Sequence, residues 1–122
     1  MDSILNSIKK LLGISSDETH FDPDIIMHIN SVFSILCQLG VGPSTSFSIQ
    51  DENAIWDDFT EEYANYNDVK TYMYLKVKLL FDPPLNSSVL SAMERQISEL
   101  EFRLSVDALA KSLEVVDDDE LV

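Results

Sequence analysis

A chain of 122 residues, 45% of them hydrophobic, suits one globular domain that buries about two-thirds of its unfolded surface. Asp and Glu number 22 against 8 Lys and Arg, and the net charge of −14 argues against a surface that holds nucleic acid or anionic lipid. No run is long and apolar enough to cross a bilayer, no secretory leader pattern opens the chain, and the lone Cys37 has no internal disulfide partner, so synthesis in a reducing cytoplasm is expected.

Charge is unevenly spread. No Lys or Arg lies between Lys10 and Lys70, and the acidic block Asp117, Asp118, Asp119 and Glu120 closes the chain. The first predicted helix covers 3–12, where Ile4, Leu5, Ile8, Leu11 and Leu12 share one face and Gly13 is a ready C′ residue. Lys9 and Lys10 fall in its last turn, where the helix dipole favours cations. With two cations and no aromatic residue, docking on the core is expected rather than binding to a membrane.

A second helix is predicted at 23–39. Asp22 reads as its N-cap, Pro23 as its N1 residue, and Phe21 with Ile26 as a hydrophobic staple. Ile25, Ile29, Val32, Phe33 and Leu36 recur at spacings of three and four, and Gly40 marks the stop. Residues 40–50 read as a loop with room for an extended piece at 47–49. Asp51 is expected to cap a brief helix at 52–59, anchored by Ile55, Trp56 and Phe59, and 60–67 reads as an irregular connection.

The next helix, 68–81, has Asp68 as its expected cap, and Asp82, Pro83 and Pro84 forbid its continuation. Val69, Tyr72, Met73, Leu75, Val77, Leu79 and Leu80 cover more than half its circumference, which predicts a central helix buried on several sides. Lys76 falls between Tyr72 and Leu80 on the apolar side and has two readings: a stem that snorkels to water, or an ammonium paired inside the fold or across a subunit boundary.

The last helix, 87–112, is capped by Asn86 or Ser87. Leu90, Met93, Ile97, Leu100 and Leu104 keep a strict 3-4-3-4 seam. Asp107 breaks it, and Phe102, Val106, Leu109 and Leu113 continue on a shifted face. Either the end of this helix reaches another surface or the helix simply fades. The expected fold is all-α: a small bundle of about five helices around a central buried helix, with a long C-terminal helix. Residues 1–112 form the single domain and 113–122 an acidic tail.

Chemistry is sparse. His28 and Cys37 stand more than two turns apart on one predicted helix, too far to share an ion, and His20 with Asp22 and Asp24 supplies no close ligand pair. There is no phosphate-binding glycine loop, nucleophile elbow or zinc-type cysteine pair. The residues point to a non-enzymatic domain without cofactor that works by contact.

Four stretches in order, MDSILNSIKKLLGI, FDPDIIMHINSVFSILCQLGVGP, the FSIQD to Trp56-Asp57-Asp58-Phe59 segment and VKTYMYLKVKLLFDPP, resemble the small head-tail connector proteins of tailed phages and prophages, adaptor or head-completion proteins. The likeness is nearest to those of Gram-positive hosts and covers about residues 1–104; the motifs are short, and their joint order carries the specificity. It implies a helical subunit whose copies, about twelve in the particle, ring the DNA channel below the portal. Implied partners are the portal protein and a downstream stopper or tail-completion protein, with DNA passing through unbound and no membrane. The virion's head-tail interface is the implied location, after synthesis in the host cytoplasm.

Onto that role the residues map as candidates. Asp57, Asp58, Glu61 and Glu62 form a channel-lining or exposed acidic face, since acidic walls repel phosphates. Lys70, Tyr74 and Lys78 form a subunit interface, and Leu109, Leu113, Val115 and Val116 a portal-docking segment. Asp22, Pro23, Trp56, Tyr72, Lys76, Asp82 and Pro83 are expected to be structural. The alternatives are an acidic DNA mimic that inhibits a DNA-binding enzyme, which uses the same charge, and an acidic helical scaffold.

Overall fold

A computed structural model describes residues 3–43, 46–60 and 66–120, excepting the side chains of 114–120. Five helices follow in order: α1 (Ile4–Leu12), α2 (Asp22–Gln38), α3 (Trp56–Phe59), α4 (Tyr66–Phe81) and α5 (Ser87–Glu120). Among the described residues β-type pairing is limited to one bridge, Ser3 with Ile55, so the fold is all-α.

Local chemistry sets most helix ends. Ser3 is extended and its Oγ accepts from the Asn6 N–H at 3.2 Å, which starts α1. Gly13, at φ 82°, turns the chain out of α1 in the left-handed region that its missing Cβ permits. Asn86 Oδ1 accepts from the N–H groups of Ser88 and Val89 at 2.8 and 3.3 Å, which makes Asn86 the cap of α5.

Four expectations require correction. Asp22 is the first residue of α2 and not its cap; Phe21 holds the cap position with no side-chain bond, and Pro23 is one place further in. The Asp22 carboxylate is drawn instead to Lys9, 2.8 Å away. The brief helix starts at Trp56 rather than 52, because Asp51 Oδ1 is used in a local turn to the Asn53 N–H at 2.9 Å. Asp68 does not cap α4, which begins at Tyr66; both its oxygens take Arg103 Nη2 of α5, at 3.1 and 3.2 Å. Finally, α5 runs to Glu120 rather than 112, since no glycine or proline follows Pro84 to stop it.

Helix α4 packs against α1, α2 and α5. Val69, Tyr72, Met73, Leu75 and Val77 are its buried residues. Burial is not all-round: Leu80 is 52% exposed, and Tyr74 and Leu79 are only partly covered. Ile25, Ile29, Val32, Phe33 and Leu36 of α2 and Ile97, Leu100 and Leu104 of α5 complete the core around it, with Ile4, Leu5 and Ile8 of α1. At its far end, a Cβ on Gly40 would stand 3.2 Å from that of Ala108, so the turn after α2 lies against α5.

The loop before α4 is held by aromatic and polar contacts. Phe33 gathers Phe47, Phe59 and Trp56 at ring distances of 4.9, 4.6 and 6.3 Å. Asn30 pairs both backbone groups of Ile49, accepting from its N–H at 2.8 Å and donating to its carbonyl at 3.0 Å, as a neighbouring strand would. The Trp56 indole N–H donates to Ser7 Oγ at 2.9 Å. The acidic single turn α3 is thereby fastened to α1 and α2.

Candidate interaction surfaces

The acidic face is partly structural. Asp58 Oδ2 accepts from the Ile55 N–H at 3.0 Å and so closes the start of α3. Asp57 is exposed on the same turn, while Glu61 and Glu62 lie outside the described residues. Buried Trp56 and Phe59 leave the two acids no choice but to face outward, since the turn's apolar side is spent on the core.

On α4, the positions of Lys70, Tyr74 and Lys78 recur at four-residue spacing along one strip, and all three are half-buried. Lys78 Nζ is 2.7 Å from Asp82 Oδ2, an i,i+4 pair at the end of the helix that offsets the lysine's charge locally. Tyr74 packs partly on the core. Lys76 is half-buried with no ion pair or hydrogen bond among the described residues, so it makes no pair there within its own subunit.

The buried lysine is a different one. Lys9 is 1% exposed, and its ammonium donates to the carbonyls of Glu18 and Ser16 at 2.6 and 3.3 Å while lying 2.8 Å from Asp22 Oδ1. The Asp22 contact is off hydrogen-bond angles, so it acts through charge. Lys9 thus ties α1, the loop after it and the start of α2 together. A signal for this was present, because Lys9 follows Leu5 by four and precedes Leu12 by three, on the apolar stripe.

Buried Tyr72 is the second polar link that sequence reasoning missed. Its hydroxyl donates to Glu101 Oε2 at 2.7 Å, joining α4 to α5. Burial first, then the hydrogen bond and charge of Glu101, push the phenol well above its usual range.

The C-terminal helix carries an exposed apolar stripe. Its seam Ile97, Leu100 and Leu104 faces the core, while Phe102, Val106, Leu109 and Leu113 are 68%, 45%, 60% and 54% exposed. Spaced 4-3-4, they form a stripe on the face opposite that seam. Two members of the proposed docking segment, Leu109 and Leu113, belong to it; Val115 and Val116 lie in α5 where side chains are outside the described residues. No three potential metal-ligating side chains gather among the described residues, and no described helix is long and apolar enough to cross a membrane.

A family model described as "Phage connector protein" matches residues 4–111. No curated protein and no solved structure matches the chain.

Proposed function

We propose that this chain, which belongs to the phage connector protein family and has that family's structural role as a component of the virion, forms a head-completion ring below the portal. The ring extends the DNA channel and seats the stopper or tail-completion protein. Asp57 and Asp58 of α3 face the channel or the ring's free end, where their charge keeps DNA phosphates from sticking. The strip of Lys70, Tyr74 and Lys78 meets a neighbouring subunit. The end of α5 beyond Leu113 reaches the portal.

The observation that carries this reading is the exposed apolar stripe of α5. A solitary subunit leaves Phe102, Val106, Leu109 and Leu113 in water, and an assembly removes them from it. The test is to mix purified portal-bearing, DNA-filled heads with the full chain and with a chain truncated after Leu113. The full chain should add density at the portal vertex and the truncated chain should add little. Equal attachment of both would refute the docking role of the tail, and attachment of neither at any salt concentration would refute the connector role at the portal.

A further inference from the structure

We propose that the exposed stripe of α5 packs on the outer face of α2 in a second copy of this chain. This deepens the ring reading and rests on it for its biological setting.

The two faces match in period and length. On α2, Met27, Ser31, Ser34 and Gln38 are all exposed and spaced 4-3-4, the same spacing as Phe102, Val106, Leu109 and Leu113 on α5. Each set therefore spans about 16 Å of helix, and a shared repeat of about 3.5 residues lets two helices stay in register at a crossing angle of about 20°. Size is complementary as well. Ser31 and Ser34 leave shallow places between Met27 and Gln38 that fit bulky knobs such as Phe102 and Leu109.

Charge selects the same pair of faces. Two copies at −14 repel, so they approach most easily where both surfaces are neutral. Residues 28–50 contain no Asp, Glu, Lys or Arg, and the α5 stripe is bordered on one side by Ser98, Ser105 and Ser112 and on the other by Glu99 and Arg103, which pair with each other at 3.4 Å. Two of the serines on these faces already spend their hydroxyls within their own helices. Ser31 Oγ donates to the Met27 carbonyl at 3.1 Å and Ser105 Oγ to the Glu101 carbonyl at 2.7 Å, both within their own helices.

The bundle also sets the kind of contact. The buried sides of α2 and α5 both pack on α4, so their outer faces are turned away from it and from each other. A contact between two unlike faces is heterologous: each copy offers one and receives the other, so the chain of contacts continues until it closes. A stripe paired with an identical stripe would instead stop at a dimer.

Cysteine trapping distinguishes these arrangements. In a Cys37→Ala background, Ser34→Cys and Leu109→Cys are made singly and together, with circular dichroism confirming that each remains helical. Concentrated protein is oxidised in about 1 M salt, where charges are screened beyond about 3 Å. The double variant should give a ladder of covalent dimers, trimers and larger species, and Ser31→Glu added to it should abolish the ladder. The single variants should each stay monomeric alone and form a dimer when mixed. Dimers of Leu109→Cys alone would overturn the proposal in favour of a self-paired stripe. No cross-link in any combination would overturn it in favour of a foreign occupant. No head or portal is present in this experiment, so its failure and a failure to attach to heads are separate results.

Discussion

A lysine ammonium taken out of water must recover its lost hydration from fixed partners, and Lys9 does so with two carbonyls and one carboxylate. Lys9→Met keeps the volume but leaves the Ser16 and Glu18 carbonyls without their donor and Asp22 without its counter-charge. Asp22 retains 21% exposure and partly rehydrates, so the expected cost is about 3 kcal/mol, the low end for breaking a buried pair. Urea unfolding measures it; a loss of less than about 0.5 kcal/mol would show that the ammonium contributes only packing. Tyr72 acts at the same scale with a pH signature. Its phenol is held above its usual range in the folded state, so the unfolded chain releases that proton first. The stabilisation is complete below about pH 10, where free tyrosine ionises, and is lost as pH rises beyond it. Tyr72→Phe should cost about 1–2 kcal/mol at pH 7 and flatten the decline of the urea midpoint above about pH 10. A variant whose alkaline decline parallels the parent would show that the Glu101 bond does not set it.

At the scale of elements, the ends that were legible are those decided by neighbours in sequence. Gly13, Asn86 and the stop at Asp82, Pro83 and Pro84 act within one turn, and the chain itself displays them. Long-range partners decided the rest. Asp68 had the residue type of a cap but is claimed by Arg103, and Asp22 by Lys9. The start of α3 depends on where the Trp56 indole meets Ser7 and on how the Asp58 carboxylate reaches Ile55, neither of which has a sequence period. The exposed stripe of α5 was visible as a shifted apolar face, yet its full exposure emerged only once Leu104 was seen to take the core position beside it. Lys9 and Lys76 show the limit most clearly. Both interrupt apolar stripes, and they differ because a loop carrying the Ser16 and Glu18 carbonyls covers Lys9, whereas Lys76 has no polar partner among the described residues. Lys76→Arg and Lys76→Gln should therefore each change stability by no more than about 0.5 kcal/mol, as for an ordinary surface position. A loss above about 2 kcal/mol on thermal or urea unfolding would restore a buried pair at Lys76.

Over the whole molecule, charge and apolar exposure act in opposite directions. A net charge of −14 on one small domain opposes every approach of a second copy, while the stripe of α5 favours burial. The two terms respond differently to salt. Repulsion between exposed charges falls as the screening length shrinks from about 30 Å at 0.01 M to about 3 Å at 1 M, whereas apolar burial does not weaken. Self-association should consequently strengthen as salt is raised, the reverse of assembly held by ion pairs. A four-residue helical stripe is also smaller than the roughly 1,200 Å² that stable interfaces bury, so a single contact is weak and a ring gains from having every subunit held on both sides. Sedimentation velocity across that salt range, at several protein concentrations, should show monomer at low salt and a shift to larger species at high salt. Phe102→Ser should remove the shift while leaving the monomer's helicity and melting unchanged, because the ring of Phe102 is already 68% exposed and supports little of the core. Association that weakens with salt would mean that opposite charges on neighbouring copies hold the assembly, and the apolar stripe would then have no part in driving it.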